Sequence, residues 1–392
     1  VPVKVALAGY GSRGDVEPLA AVGRELLRRG HHVAMAAPPD QLGLVASAGL
    51  TAVEYGPGTQ ALRGQEFAPD TSPNPINTMV KIAQHFTQAM TDFGTTLTEQ
   101  ADGADLLLTN ASEEGLATSV AEYYGIPLAT LHFFPGAQPR GLIGDIAKDA
   151  ENALRRQLGL PEATGRSAEL EIQAYDELWF PGLAAKWGEQ GRRRPFVGTL
   201  TLELPTDVDA EVLSWIAQGT PPIYFGFGSN VQIPYPDETI GVISAACAHL
   251  GERALICSGS SDFSWVTHAD HVKIVTSVNH GAVFPACRAV VHQGGAGTTA
   301  AGIRAGMPSL ILWFSSEDQP TWAQAITRLK VGCGRQFSAS TLATLVADLR
   351  SVLAPECALR AQELAPQMTK PAESVATAVD LLEETARLGR AG

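Results

Sequence analysis

Cysteine is scarce in these 392 residues. The five present, Cys247, Cys257, Cys287, Cys333 and Cys357, are odd in number, lie in the second half and form no C-x-x-C pair. That pattern disfavours zinc and a disulfide framework, and makes reduced, mostly buried thiols in a reducing compartment the expectation. Basic charge is also short: 28 Lys and Arg stand against 41 Asp and Glu, a net charge of −13. A nucleic-acid surface needs clustered cations, and the one dense cluster, Arg192-Arg193-Arg194, ends at Pro195. No nucleic-acid partner is expected. Long apolar runs are absent too, none approaching the roughly 20 residues that cross a bilayer. The first residues, Val1-Pro2-Val3-Lys4, read as strand rather than signal peptide. A globular protein with a cytoplasmic location is expected, with 45% apolar and 18% charged residues.

What is present is an alternation of short apolar runs and amphipathic stretches. Residues 3–8, 32–37, 105–109 and 127–132 predict strands, with helices over 18–29 and 115–124. Residues 222–226, 253–257, 272–276, 289–292 and 309–313 repeat the rhythm. Such alternation predicts parallel sheets covered on both faces. The expected fold is α/β, with two doubly wound, Rossmann-like parallel-sheet domains facing a cleft. The stretch 192–222, rich in Arg, Pro, Thr and Asp, separates them. We place an N-terminal domain at residues 1–200, a linker at 201–221 and a C-terminal domain at 222–392. The last helix is a candidate to pack back on the first domain. Ligands of such sheets lie beyond the carboxyl ends of the strands. Two long loops there, 55–77 and 133–145 with its lone Arg140, are candidates for substrate recognition. Tyr10, His132, Phe133 and Phe134 are candidate acceptor-lining residues, with core packing as the plain alternative.

The first strand runs into Gly9-Tyr10-Gly11-Ser12-Arg13-Gly14, the G-x-G-x-x-G spacing of a dinucleotide turn. That fold also needs an acid about 20 residues on, ending the second strand, to hold the ribose. Here the strand ends Ala36-Ala37-Pro38-Pro39, and Asp40 comes only after both prolines. Asp15 directly follows the third glycine. A carboxylate there competes with pyrophosphate for the positive end of the helix dipole. A nicotinamide oxidoreductase is therefore disfavoured. The helix start stabilises an ionised carboxylate, which makes Asp15 a ready proton acceptor. Asp is equally a favoured cap, and the segment alone leaves both roles open.

A better anion site is AVVHQGGAGTTAAGIRAGMP, residues 289–308. A strand ends at His292, and Gly294-Gly295-Ala296-Gly297 leads into a helix with Thr298 and Thr299 in its first turn. Small residues let N–H groups approach a phosphate, and the helix dipole adds to the attraction. Packing alone also produces such turns. A second glycine turn, Gly226-Phe227-Gly228-Ser229-Asn230, offers Ser229 but has no P-loop Gly-Lys-Ser/Thr behind it. Ser316-Glu317-Asp318-Gln319-Pro320 sets an acid beside an amide, a pair suited to the vicinal hydroxyls of a sugar. Asp207-Val208-Asp209 has the spacing of a metal-binding pair, but its place in the linker reads as a solvated loop. No metal site is expected.

In concert, GSRGDVEPLAAVGRELLRRGH, APPD and HQGGAGTTAAGIRAGMPSLILWFSSEDQP resemble the GT-B glycosyltransferases, family 1. The resemblance covers nearly the whole chain and is to the bacterial branch that decorates glycopeptides, macrolides and mycobacterial glycopeptidolipids. LKVGCGRQFS and MTKPAESVATAVDLLEE are most similar to the glycopeptidolipid group. The resemblance implies an inverting hexosyltransferase. A hexose or deoxyhexose would move from a nucleoside-diphosphate sugar to a hydroxyl of a lipid, glycopeptide or polyketide. The acceptor would sit in the N-terminal domain and the donor in the C-terminal one. Asp15 is implied as general base, and His292 with Gly294, Gly295, Gly297, Thr298 and Thr299 as the diphosphate site. Asp318 and Gln319 would hold the sugar, Arg13 and Ser229 would approach the phosphates, and the base would lie near 277–280, Val278 included.

No metal or other cofactor is implied, since donors and the helix dipole serve the leaving group. A lipid acceptor would bring the enzyme to a membrane periphery. Plant members carry Trp and Gln where Ser277 and His280 stand, which leaves UDP, TDP or GDP open. They also use His near Asp15, and Asp, with an intrinsic pKa of about 3.9, is the weaker base. Sterol glucosyltransferases share GSRGDV and a similar DQP segment. A sterol or lipid enzyme using UDP-glucose is therefore the alternative, beside a catalytically silent GT-B partner protein. Such a partner is expected to lose Asp15, His292 or Asp318-Gln319, all of which are present.

Overall fold

The computed structural model describes residues 1–59, 75–136, 141–163, 167–189, 194–229, 233, 235–259, 261, 263, 265–314 and 318–391. It divides into two units, Val1–Ala174 with Gly182–Leu202 and Pro371–Gly392, and Tyr175–Pro181 with Glu203–Lys370. The division falls at Leu202/Glu203, and all but the first two residues of the segment expected as a linker belong to the second unit, where Asp209–Ala217 is helical.

The first unit runs β1 (Lys4–Ala8), α1 (Arg13–Arg28), β2 (His32–Ala37), α2 (Leu42–Ser47), β3 (Thr51–Glu54), α3 (Pro75–Ala101), β4 (Leu106–Asn110), α4 (Glu114–Tyr124), β5 (Leu128–His132), α5 (Gly141–Gln157), β6 (Leu170–Gln173) and α6 (Leu183–Gly188). Its strands lie in the order β3-β2-β1-β4-β5-β6, every pair parallel. The central strands are mostly apolar because helices cover both faces, as in Val5–Ala8 and Leu106–Leu108. Leu107 and Leu128 meet Phe93, Leu97, Leu116 and Val120 on one of them. α1 starts at Arg13, ahead of the predicted residue 18. Pro18 lies inside the helix, where its missing N–H forfeits one bond to the Gly14 carbonyl without ending it.

The second unit continues with α7 (Asp209–Ala217), β7 (Ile223–Gly226), α8 (Pro236–Leu250), β8 (Ala254–Cys257), β9 (Val272–Val275), α9 (His280–Val283), β10 (Ala289–His292), α10 (Ala296–Arg304), β11 (Ser309–Trp313), α11 (Asp318–Leu329), β12 (Gly332–Gln336), α12 (Leu342–Val352) and α13 (Pro355–Leu364). Its parallel order is β12-β11-β10-β7-β8-β9. Counted from β7, this is the doubly wound order of the first unit. Each sheet thus has one switch point, between β1 and β4 and between β7 and β10, where such folds bind ligands.

The last helix, α14 (Pro371–Ala391), belongs to the first unit and packs on α1. Arg29 pairs there with Asp380 at 2.6 Å, and His31 Nε2 lies 2.9 Å from Glu383. Three edge strands, β3, β6 and β12, were not expected from the sequence. The loop expected at 133–145 is shorter, since α5 begins at Gly141. Arg140, residues 60–74, Arg192, Arg193, Asn230, Ser316 and Glu317 lie outside the described residues. No described helix is long and apolar enough to cross a membrane.

Candidate active site

At the first switch point the chain leaves β1 through Gly9-Tyr10-Gly11 and enters α1. Asp15 Oδ2 accepts from the Ser12 N–H at 2.6 Å and from the Ser12 hydroxyl at 2.9 Å. A Cβ on Gly11, at φ +139°, would stand 2.3 Å from that same oxygen. Gly9 is required for a different reason, since its Cβ would meet Leu19 at 2.3 Å. Gly14 is exposed and uncrowded, its nearest neighbour Ser12 Oγ at 3.5 Å. The spacing is therefore not used as a dinucleotide turn uses it. The room over the second glycine, through which pyrophosphate reaches the backbone, holds the chain's own carboxylate.

Across the switch point, β4 ends at Asn110, whose Nδ2 donates to the Asp15 carbonyl at 3.3 Å. The next turn carries Glu113, 5% exposed. In the sequence it is inconspicuous, because an acid before an amphipathic helix looks like an ordinary N-terminal charge. The Ser112 hydroxyl donates to Glu113 Oε1 at 2.8 Å, and the N–H groups of Tyr10 and Asn110 bond to the carboxyl. Oε2 is buried without a partner among the described residues. Burial first, opposed by the Ser112 hydrogen bond and reinforced by the Asp15 charge, pushes the Glu113 carboxyl up to about 8.

The expected acceptor-lining residues divide between core and rim. Tyr10 packs in an aromatic cluster, its ring 4.7 Å from Phe93 and 6.5 Å from Tyr55. His132 ends β5 with Nε2 3.1 Å from the Thr130 hydroxyl and 3.8 Å from Glu171, which itself pairs with Arg194 at 2.7 Å. Burial pushes this imidazole down to about 4, with Glu171 opposing and Arg194 adding, so it is neutral at physiological pH. Phe133 and Phe134 follow, half-buried. Arg13, expected near phosphate, is instead engaged by Glu17 at 2.6 Å, whose other oxygen accepts from the Leu202 N–H at 3.0 Å.

At the second switch point, β10 ends at His292 and Gly295 caps α10 without any side-chain hydrogen bond. The Gly294 N–H donates to His292 Nδ1 at 3.1 Å. The ring proton therefore sits on Nε2, which is buried without a partner among the described residues. Burial, with the nearby His280 charge, pushes the ring down to about 3, and it stays neutral. The imidazole expected to meet the diphosphate is fully enclosed. What it does in this arrangement is hold the turn. Gly294, at φ +101°, is pressed against Ile311 and the Gln319 backbone, where a Cβ would stand 2.9 and 3.2 Å away.

Gly297 opens on free space, with nothing within 4 Å of a Cβ. The first turn leaves the N–H groups of Ala296, Gly297 and Thr298 without intrahelical acceptors. Thr298 is half-exposed beside them, whereas Thr299 is buried and donates its hydroxyl to the Gly295 carbonyl at 2.8 Å. Gln293, not singled out in the sequence, bridges the glycine turns. Its Nε2 would lie 2.7 Å from a Cβ on Gly228 and 3.1 Å from one on Gly295. Ser229 follows Gly228, half-buried.

Asp318 and Gln319 open α11, and Gln319 Oε1 accepts from the Phe314 N–H at 2.9 Å, which aims the amide nitrogen the other way. Val278 is buried with Tyr224, Cys257 and Phe284. His280 beside it stacks on Phe284 at 4.4 Å and meets the Tyr224 hydroxyl at 3.2 Å. Asp209 of the Asp-x-Asp pair is a structural acceptor, bonded to Thr206 N–H and hydroxyl at 2.7 Å and to Asn279 N–H at 2.8 Å. The structure thus gathers Ser229, Gln293, residues 294–298 and Gln319 beyond the carboxyl ends of β7, β10 and β11.

Residues 5–139 match the Glycosyltransferase family 28 N-terminal domain, and residues 257–381 the Erythromycin biosynthesis protein CIII-like C-terminal domain. An uncharacterized glycosyltransferase of Mycobacterium leprae is 55% identical over 415 residues, spanning 98% of this chain and 97% of its own length. The crystal structure of the calicheamicin glycosyltransferase CalG4 matches with a TM-score of 0.74 at 16% identity, over 98% of each chain. The glycosyltransferase VinC, solved in complex with dTDP, matches with a TM-score of 0.68 at 18% identity, over 99% of this chain and 100% of its own. At those identities the two solved structures share the fold.

Proposed function

The chain belongs to the GT-B glycosyltransferases, and from that premise we propose that it moves a hexose or deoxyhexose from a nucleoside-diphosphate sugar to a hydroxyl of a natural-product acceptor, with inversion at the anomeric carbon. One observation carries this reading: the two glycine-rich turns at the two switch points are finished in opposite ways. α1 closes its own start with the Asp15 carboxylate, while no side chain caps the start of α10 with a hydrogen bond. An anion therefore belongs at α10 and a base at α1.

In this reading the N–H groups at the start of α10 receive the diphosphate, where backbone donors and the helix dipole favour negative charge. Asp318 and Gln319 face the sugar hydroxyls. As the acceptor oxygen attacks the anomeric carbon, its O–H bond breaks and Asp15 takes the proton. The bond between that carbon and the β-phosphate oxygen breaks with the electron pair leaving on the diphosphate. The growing charge meets donors already in place, so little reorganisation is needed. Capping and base roles do not compete, since the Ser12 bonds hold the carboxylate in one orientation. The dTDP bound to VinC supports a thymidine-diphosphate donor.

Calorimetric titration of the protein with UDP, TDP, GDP and NAD, without added metal, tests this. Micromolar binding of one nucleoside diphosphate with NAD silent is expected. Binding of NAD alone would overturn the reading.

A further inference from the structure

Glu113 is buried at the end of β4, on the far side of the switch point from Asp15, and no step above uses it. Its carboxyl is bonded to the N–H of Tyr10, in the turn that delivers Asp15, and to that of Asn110, whose amide holds the Asp15 carbonyl. Ser112 satisfies Oε1, but Oε2 is enclosed with no partner among the described residues. An ionised carboxylate with one oxygen sealed away from donors is costly, and a carboxylic acid in the same place costs far less.

The Ser112 hydroxyl and the Tyr10 and Asn110 N–H groups favour the ionised form, but burial outweighs them and the charges nearby add to it. Asp15 on α1 contributes like charge, and the Tyr55 hydroxyl, raised by its own burial and then by Glu113, stays protonated. Tyr10 adds a ring rather than a charge. On α4, Glu114 is turned to the Ala168 N–H at 3.0 Å. From α5, the carboxyl of Glu151 approaches Gly115, 2.9 Å from where a Cβ would lie. The groups that act most strongly on Glu113 include no cation.

We propose that Glu113 is the positioning residue for the base: it keeps a proton inside the fold beside Asp15, so that the pair carries one negative charge at rest and none once Asp15 holds the acceptor's proton. The proposal rests on Asp15 being the base. Were both carboxyls ionised, their repulsion would drive a proton onto one of them, and Asp15 would lose its readiness. With Glu113 neutral, Asp15 stays ionised, and the N–H bonds to Tyr10 and Asn110 tie its turn to β4. The acceptor's proton passes to Asp15, and Glu113 keeps its own throughout.

Side-chain carboxyl 13C NMR of the full chain, labelled at Glu and titrated from pH 5 to 9.5, tests the pair without any acceptor. One Glu signal is expected to titrate near pH 8, to vanish in Glu113→Gln, and to move to lower pH in Asp15→Asn, where the neighbouring charge is gone. A protein in which no Glu titrates above pH 7, or in which the signal is unmoved by Asp15→Asn, would overturn the proposal. The wild type and Asp15→Asn suffice for that decision should Glu113→Gln fail to fold. Release of TDP from TDP-glucose with a phenolic probe acceptor separates the two readings. Turnover undiminished in Asp15→Asn removes the base, and the positioning role with it. An unmoved titration with turnover lost removes only the role of Glu113.

Discussion

Gly11 and Gly14 belong to one motif and carry opposite demands. A side chain on Gly11 would drive into the Asp15 carboxylate from a backbone at φ +139°, which non-glycine residues rarely adopt. Gly14 occupies the exposed first turn of α1 with room to spare. Gly11→Ala is therefore expected to lower stability by about 1–3 kcal/mol and to abolish turnover by displacing the carboxylate. Gly14→Ala is expected to raise stability by about 0.5–1 kcal/mol, because alanine loses less entropy in a helix. Thermal unfolding of the two variants side by side checks both signs. A dinucleotide turn makes the reverse demand at its third glycine, where helix and strand pack closely. Equal damage from both substitutions would therefore return the motif to that role.

The elements show why some of this architecture was legible and some was not. The central strands were found because burial on both faces gives them apolar runs, Val5–Ala8 in β1 and Leu106–Leu108 in β4. The strands that escaped, β3, β6 and β12, are all sheet edges, four or five residues long. β12 even reads against its state, with glycine at positions 332 and 334. A Cβ on Gly332 would fall 1.9 Å from the Ser309 carbonyl, and one on Gly334 2.5 Å from Ala323, so close packing with β11 and α11 overrides propensity. Glu113 was illegible for a related reason: its burial comes from tertiary packing, which no local pattern encodes.

The start of α10, by contrast, was readable from small residues alone, and it yields a test at this scale. Gly297 faces open space, so Gly297→Asp adds to α10 the kind of carboxylate that Asp15 gives α1. The acid complements the helix dipole and is expected to stabilise the fold by about 0.3–1 kcal/mol. It also occupies the anion site, so TDP should bind at least tenfold more weakly. Tighter or unchanged TDP binding in a stabilised variant would place the diphosphate elsewhere.

For the whole molecule, three buried groups set opposing pH dependences on folding. His132 and His292 are held well below the usual value of 6.5, at about 4 and about 3. The unfolded chain therefore binds more protons than the folded one below pH 6.5, and stability falls as pH drops through that range. Glu113 is held at about 8 against a usual 4.5, so the folded chain binds the extra proton. Its share of stability is full below 4.5 and is lost as pH rises toward 8. Between 4.5 and 6.5 the two histidines outweigh the one carboxyl, and above 6.5 the carboxyl acts alone. The three together are most favourable near pH 6.5. Above it the Glu113 share should fall by roughly 1.4 kcal/mol per pH unit until the carboxyl ionises. Unfolding temperatures at pH 5, 6.5 and 8 should trace that peak, and Glu113→Gln should flatten its alkaline side and steepen its acid side, where the carboxyl had offset one of the two histidines. An alkaline slope that survives the substitution would mean that Glu113 is already ionised in the folded chain, and that another group carries the loss.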